Sequence, residues 1–108
     1  IRLDVMRRML DCGLKERVVP GTDSGVSDLA FGHLDYDLQL LVRVGFTPGE
    51  ALVAATRISA AAIGLGHEIG TIENGKIADL VAFDGDPNTD IGACSRVRAV
   101  FQAGQRVK

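Results

Sequence analysis

Tryptophan is absent, and four Phe and one Tyr are the only aromatic side chains. Thirteen glycines stand beside that scarcity, a mix that suits tight turns and close packing by Ala and Val. Cysteine occurs only at Cys12 and Cys94, in unrelated contexts, which excludes a disulfide framework and reads as two free thiols in a reducing, cytoplasmic setting. No apolar run approaches the roughly 18 residues a membrane-spanning helix needs. Charge of one sign is lacking too. The formal net charge is −2, acidic and basic residues are interspersed, and no basic stripe invites nucleic acid.

What is present supports one domain at most. The chain has 108 residues, of which 46% are apolar, enough for a real core. No signal peptide precedes the first helical pattern. The pattern begins at Ile1 without an N-cap, which predicts further polypeptide upstream.

Apolar residues at Ile1, Val5, Met9 and Cys12 recur at helical spacing, with Leu3, Met6 and Leu10 beside them and charged residues opposite. Gly13 is placed to stop that helix. Lys15 to Pro20, centred on Val18 and Val19, is too short for a helix and predicts a brief buried strand. It runs into Gly21-Thr22-Asp23-Ser24-Gly25, a polar turn flanked by glycine. Helix, short apolar strand, polar turn is the grammar of a β/α repeat, and in barrels of that type functional residues sit where strands give way to loops. Asp23 occupies that position.

Leu34, Leu38, Leu41, Val42 and Val44 predict the next helix, ended by Gly45. Thr47-Pro48-Gly49-Glu50 combines an N-cap, a first-turn proline and the second half of a capping box. The helix it opens runs through Ala51, Leu52 and Ala55, and a second short one spans Ser59 to Ile63. After Gly66 the period changes. Gly70 to Ile72 and Ala78 to Phe83 predict strands joined through Asn74-Gly75, a strong hairpin signal. The continuous apolar run Leu80 to Phe83 predicts a strand buried on both faces. Val97 to Gln102 and Gln105 to Val107 predict another hairpin across Ala103-Gly104. The boundary between the two regimes falls after residue 65.

Groups fit for catalysis are few. The only histidines are His33 and His67, and no H-x-H or H-E-x-x-H occurs. A catalytic zinc normally takes three protein ligands and an open position; this chain cannot assemble that set alone. The serine elbow, the phosphate loop and the dinucleotide fingerprint are missing as well.

In order, Val19-Pro20-Gly21-Thr22-Asp23-Ser24-Gly25, Phe46-Thr47-Pro48-Gly49-Glu50-Ala51-Leu52, Ala60-Ala61-Ala62-Ile63-Gly64-Leu65 and Ile69-Gly70-Thr71-Ile72-Glu73-Asn74-Gly75-Lys76-Ile77-Ala78-Asp79-Leu80 resemble the amidohydrolase superfamily. The likeness is to its Xaa-Pro dipeptidase and imidazolonepropionase branch, and it covers almost the whole chain. The resemblance implies an α/β fold: residues 1–65 as the last β/α unit or units of a metal-dependent hydrolase (β/α)8 barrel, and residues 66–108 as strands of a small flanking β-sandwich. It implies hydrolysis of an amide, peptide or cyclic amide with one or two divalent metal ions, zinc above all. Asp23 matches the aspartate after the eighth strand that binds the metal and shuttles the proton. His33, in the loop after Asp23, matches a substrate-side position, while His67 reads as structural. The implied partners are a small amide or dipeptide-like substrate and the rest of the barrel or other copies of the chain, with neither nucleic acid nor membrane. The other class of function left open is a non-catalytic packing module that needs further segments to fold.

Overall fold

The computed structural model describes residues 3–25 and 31–108; Ile1, and with it the expected start of the first helix, lies outside them. Helix α1 covers Leu3–Asp11, α2 Leu34–Val44, α3 Pro48–Val53 and α4 Ser59–Ala62. Strands β1 (Leu80–Phe83), β2 (Val97–Gln102) and β3 (Gln105–Arg106) follow. No helix among the described residues is long and apolar enough to cross a membrane.

The helices end alike. Past α1 the Leu14 N–H donates to Met9 O, past α2 the Phe46 N–H to Leu41 O, and past α4 the Leu65 N–H to Ala60 O. Each closure requires a left-handed residue, supplied by Gly13, Gly45 and Gly64. The capping box forms in both halves. The Glu50 N–H donates to Thr47 Oγ1 (3.2 Å), and the Thr47 N–H to Glu50 Oε2 (2.7 Å).

The break expected between residues 55 and 59 does not occur. A single π turn, Ala54–Ile58, carries α3 into α4. The Thr56 hydroxyl donates to Leu52 O and the Ser59 hydroxyl to Ala54 O, both at 2.7 Å. These carbonyls keep partners where the widened turn takes an extra residue, so the helix bulges instead of stopping. Gly70 packs onto that bulge. A Cβ built there would come 2.6 Å from Ala60 Cβ and 3.0 Å from Thr56 O, at a φ of +94°.

Three strand expectations are corrected. Lys15–Arg17 is a 3-10 turn, and only Val18 onward is extended, without a strand partner among the described residues. Two adjacent valines favour extended backbone, but a strand needs a neighbour to bond. Gly70 to Ile72 forms no strand. Lys76 Nζ donates to Gly66 O and Thr71 Oγ1, and the Ile77 N–H donates to Glu68 O. That segment folds around the ammonium as a loop, and Asn74-Gly75 turns it without a ladder. Strand β1 is the third case. Val81 is 48% exposed and the strand's burial is partial at best, because it pairs with β2 and has no second layer over it among the described residues.

The sheet runs in the order β1-β2-β3, antiparallel throughout, with Leu80 opposite Phe101, Val81 opposite Val100, and a register shift between Ala82 and Phe83. The hairpin at Ala103-Gly104 forms as expected, with positive φ at both residues. Asp79 Oδ1 accepts from the Ala103 N–H at 2.8 Å, and Asp84 pairs with Arg98. The two aspartates therefore brace the sheet ends. A 3-10 turn, Ile91–Ser95, sends Ile91 and Cys94 into one buried cluster with Val18, Leu38, Leu41, Val44, Phe46, Ala51 and Ala54.

Candidate functional site

Between α1, α2 and the extended segment after Val18 lies an open cleft of about 370 Å³. Leu3 and Met6 of α1, residues 18–21, and Leu40, Leu41 and Val44 of α2 form its apolar walls. Two carboxylates, Asp23 and Asp37, complete the lining.

Local chemistry explains how Asp23 reaches the cleft. Val18 is buried and fixes the start of the segment, and Pro20 keeps it extended. Thr22 Oγ1 then accepts from the Ser24 N–H (3.3 Å) and the Ser24 hydroxyl (2.6 Å), closing a tight turn around Asp23. Asp23 takes a φ of 51°, the left-handed region that costs most side chains roughly 1–2 kcal/mol and that Asp and Asn tolerate best. A carboxylate held in a strained turn at a cleft is the pattern found where function overrides backbone preference. Its side chain is exposed and, among the described residues, carries no hydrogen bond or ion pair.

Phe31 packs back on this turn. A Cβ on Gly25 would lie 3.0 Å from Phe31 Cζ, so the Phe31 ring rests against the Gly25 backbone. His33 follows at the N-cap of α2, with its Nδ1 3.9 Å from Asp35 Oδ1 and its imidazole exposed. It does not line the cleft. The structure thus places the Phe31 ring against Gly25, two residues beyond Asp23, and puts His33 at the start of α2, outside the cleft lining. His67 is exposed beside Glu68 and lies apart from the cleft lining.

Asp37 escaped the sequence reading, though a signal was there. With Leu40, Leu41 and Val44 it shares the i, i+3, i+4, i+7 face of α2, where a lone acid among apolar residues marks a cleft edge. Cys94 is buried, and burial first, then the negative charges of Asp35 and Asp90, pushes its thiol pKa up, away from the reactive thiolate. Cys12 and Cys94 are both free thiols.

Among the described residues no group of three or more His, Cys, Asp and Glu side chains could hold a metal ion. Asp23 offers one oxygen donor of the kind a divalent ion takes, and the remaining ligands would have to come from elsewhere.

Residues 2–107 match the amidohydrolase family. The chain belongs to that family. Over 78 residues it is 44% identical to an imidazolonepropionase of Geobacillus sp. (strain WCH70), a match covering 72% of this chain and 18% of the relative. The crystal structure of a Xaa-Pro dipeptidase with bound methionine in its active site superposes with a TM-score of 0.88 at 30% identity, over 98% of this chain and 25% of that one. Molinate hydrolase gives a TM-score of 0.84 at 28% identity, covering 94% of this chain and 25% of the other. The chain therefore spans about a fifth to a quarter of the length of these amidohydrolase relatives. Its α/β fold with a three-stranded antiparallel sheet superposes on the two solved structures over nearly its whole length.

Proposed function

We propose that this amidohydrolase segment serves the hydrolysis of an amide, peptide or cyclic amide C–N bond, with Asp23 as the group that moves the proton. The observation that carries the reading is Asp23 itself: a carboxylate in a strained left-handed turn, lining a cleft, without a partner among the described residues. The loop position fits a β/α barrel, residues 1–65 forming its closing unit and residues 66–108 belonging to a flanking β-sandwich. A divalent ion such as zinc, bound in part by Asp23, would polarise the amide carbonyl and acidify water. An Asp23 carboxylate oxygen would accept the attacking water's proton and return it to the leaving nitrogen. His33, exposed at the N-cap of α2, would take a substrate-side place, and a cytoplasmic setting suits the free thiols.

The test is Asp23→Asn in the complete protein, assayed with zinc on a Xaa-Pro dipeptide and on an imidazolonepropionate. Asparagine keeps the left-handed turn and loses the base, so kcat should fall at least about 100-fold while thermal stability holds. Undiminished turnover removes Asp23 from the chemistry.

A second reading, a packing module completed by other polypeptide segments, draws on the exposed apolar side chains Ile72 and Ile63, 88% and 67% accessible. Size-exclusion chromatography with metal analysis decides it: a monomeric 108-residue chain binding zinc stoichiometrically would end that reading.

A further inference from the structure

We infer that Lys15 is a positioning residue for the segment that carries Asp23, through an ion-pair clip between Lys15 and Glu50. The inference rests on the reading of Asp23 given above. Lys15 opens the 3-10 turn that leads into Val18. Its ammonium reaches three features of the α2–α3 junction at once: it pairs with the Glu50 carboxylate, donates to Gly45 O at 3.0 Å, and lies 5.1 Å from the centroid of the Phe46 ring. Gly45 caps the carbonyl end of α2, where the helix dipole favours a cation. Glu50 is already fixed by its bond from the Thr47 N–H, so the partner of the ammonium does not swing.

The downstream segment needs such an anchor. Among the described residues no backbone–backbone hydrogen bond ties residues 19–23 to the rest of the chain. Its upstream attachment is Val18, packed into the core, and the Lys15 clip just before it. Packing of one valine fixes depth but leaves rotation about the segment's own axis; a directional clip three residues earlier removes that freedom. A carboxylate that must meet a reacting atom is sensitive to small misplacement, with about 1 Å able to cost about 100-fold in rate.

The experiment uses the complete protein, zinc, and whichever of the Xaa-Pro dipeptide and the imidazolonepropionate the unmodified enzyme hydrolyses faster. Lys15→Met removes the charge. Glu50→Gln removes the pair yet leaves an amide oxygen to complete the cap. Both variants should lose about tenfold or more in kcat with little change in KM, and Lys15→Arg should recover most of it. In an Asp23→Asn background, Lys15→Met should bring no further loss, since a residue acting through Asp23 has nothing left to position. Full additivity of the two substitutions, or kcat retained in both clip variants, overturns the inference. If the unmodified protein hydrolyses neither amide, the reading of Asp23 falls and hydrogen exchange decides the clip. Faster exchange confined to residues 14–25 in Lys15→Met upholds it; unchanged exchange there overturns it.

Discussion

The helical stretch through residue 65 and the strand-bearing stretch after it achieve order by different means. In the first, α2 and α3 bury one face each, and Leu38, Leu41, Val44, Phe46, Ala51 and Ala54 pack into a cluster that also takes Val18 from the extended segment. In the second, apolar side chains on β1 remain largely accessible. Order there comes from hydrogen bonding: the β1–β2 ladder, the Lys76-centred loop and Asp79 holding the last hairpin. Only Ala99 and the turn bearing Ile91, Ala93 and Cys94 are buried after residue 65. Burial sets the stability of one half, and hydrogen-bonded turns set the shape of the other.

That contrast has measurable consequences. Leu41 is 6% exposed, sits centrally in α2 and walls the cleft. Leu41→Ala should destabilise the protein by about 3 kcal/mol in denaturant unfolding, the usual cost of a buried leucine cavity. A loss below about 1 kcal/mol would mean that the helical half does not depend on burial. Gly70→Ala attacks the seam between the halves. Its new methyl would meet Ala60 and the Thr56 carbonyl, at a φ that side chains resist, for a loss of about 2 kcal/mol. Because Thr56 lies in the π bulge and Ala60 in the first turn of α4, helical circular dichroism should weaken along with the melting temperature.

A smaller effect concerns Glu50. The side-chain hydrogen bond from Lys15, and then the Thr47 backbone N–H, hold its pKa at about 2 instead of the ordinary 4.5. A depressed folded-state value means that the ionised form favours the fold. The contribution is complete above 4.5 and is lost as pH falls toward about 2. Both partners are substantially exposed, so solvent and salt screen the pair and the expected benefit at neutral pH is at most about 1 kcal/mol. Unfolding of the Glu50→Gln variant should trail the unmodified protein at pH 7 and converge with it near pH 2. A gap that stays constant across that range would show that the capping geometry, and not the charge, is what Glu50 contributes.

How much of this was legible in sequence follows the same division. Helix ends were readable because their signals are local: Gly13, Gly45 and Gly64 each supply a left-handed residue, and Thr47 with Glu50 closes a cap within four residues. The Ala103-Gly104 hairpin was local too. What failed depended on distant partners. Val18-Val19 has strand composition but no described neighbour to pair with, and in Gly70 to Ile72 the Thr71 hydroxyl is held by the Lys76 ammonium in a loop with no ladder. The π bulge hid because its cause, two hydroxyls reaching back to carbonyls, reads in sequence as ordinary polar residues in a helix. At the site, Asp23 was visible through its turn and its likeness to a family motif, whereas Asp37 needed the helix face to be seen against the cleft.

The least effect expected is also the one most able to undo the comparison. Val81 stands in the middle of β1, opposite Val100, and is nearly half accessible. If the strand-bearing half owes its order to hydrogen bonding, Val81→Thr keeps a β-branched side chain, preserves the ladder and should change stability by no more than about 0.5 kcal/mol. The swap puts a hydroxyl where a methyl was, which is tolerated in water and penalised under a covering layer. A loss of about 2 kcal/mol in the complete protein would therefore show that another layer of polypeptide lies over β1 there, and that this half, like the helical one, is ordered by burial.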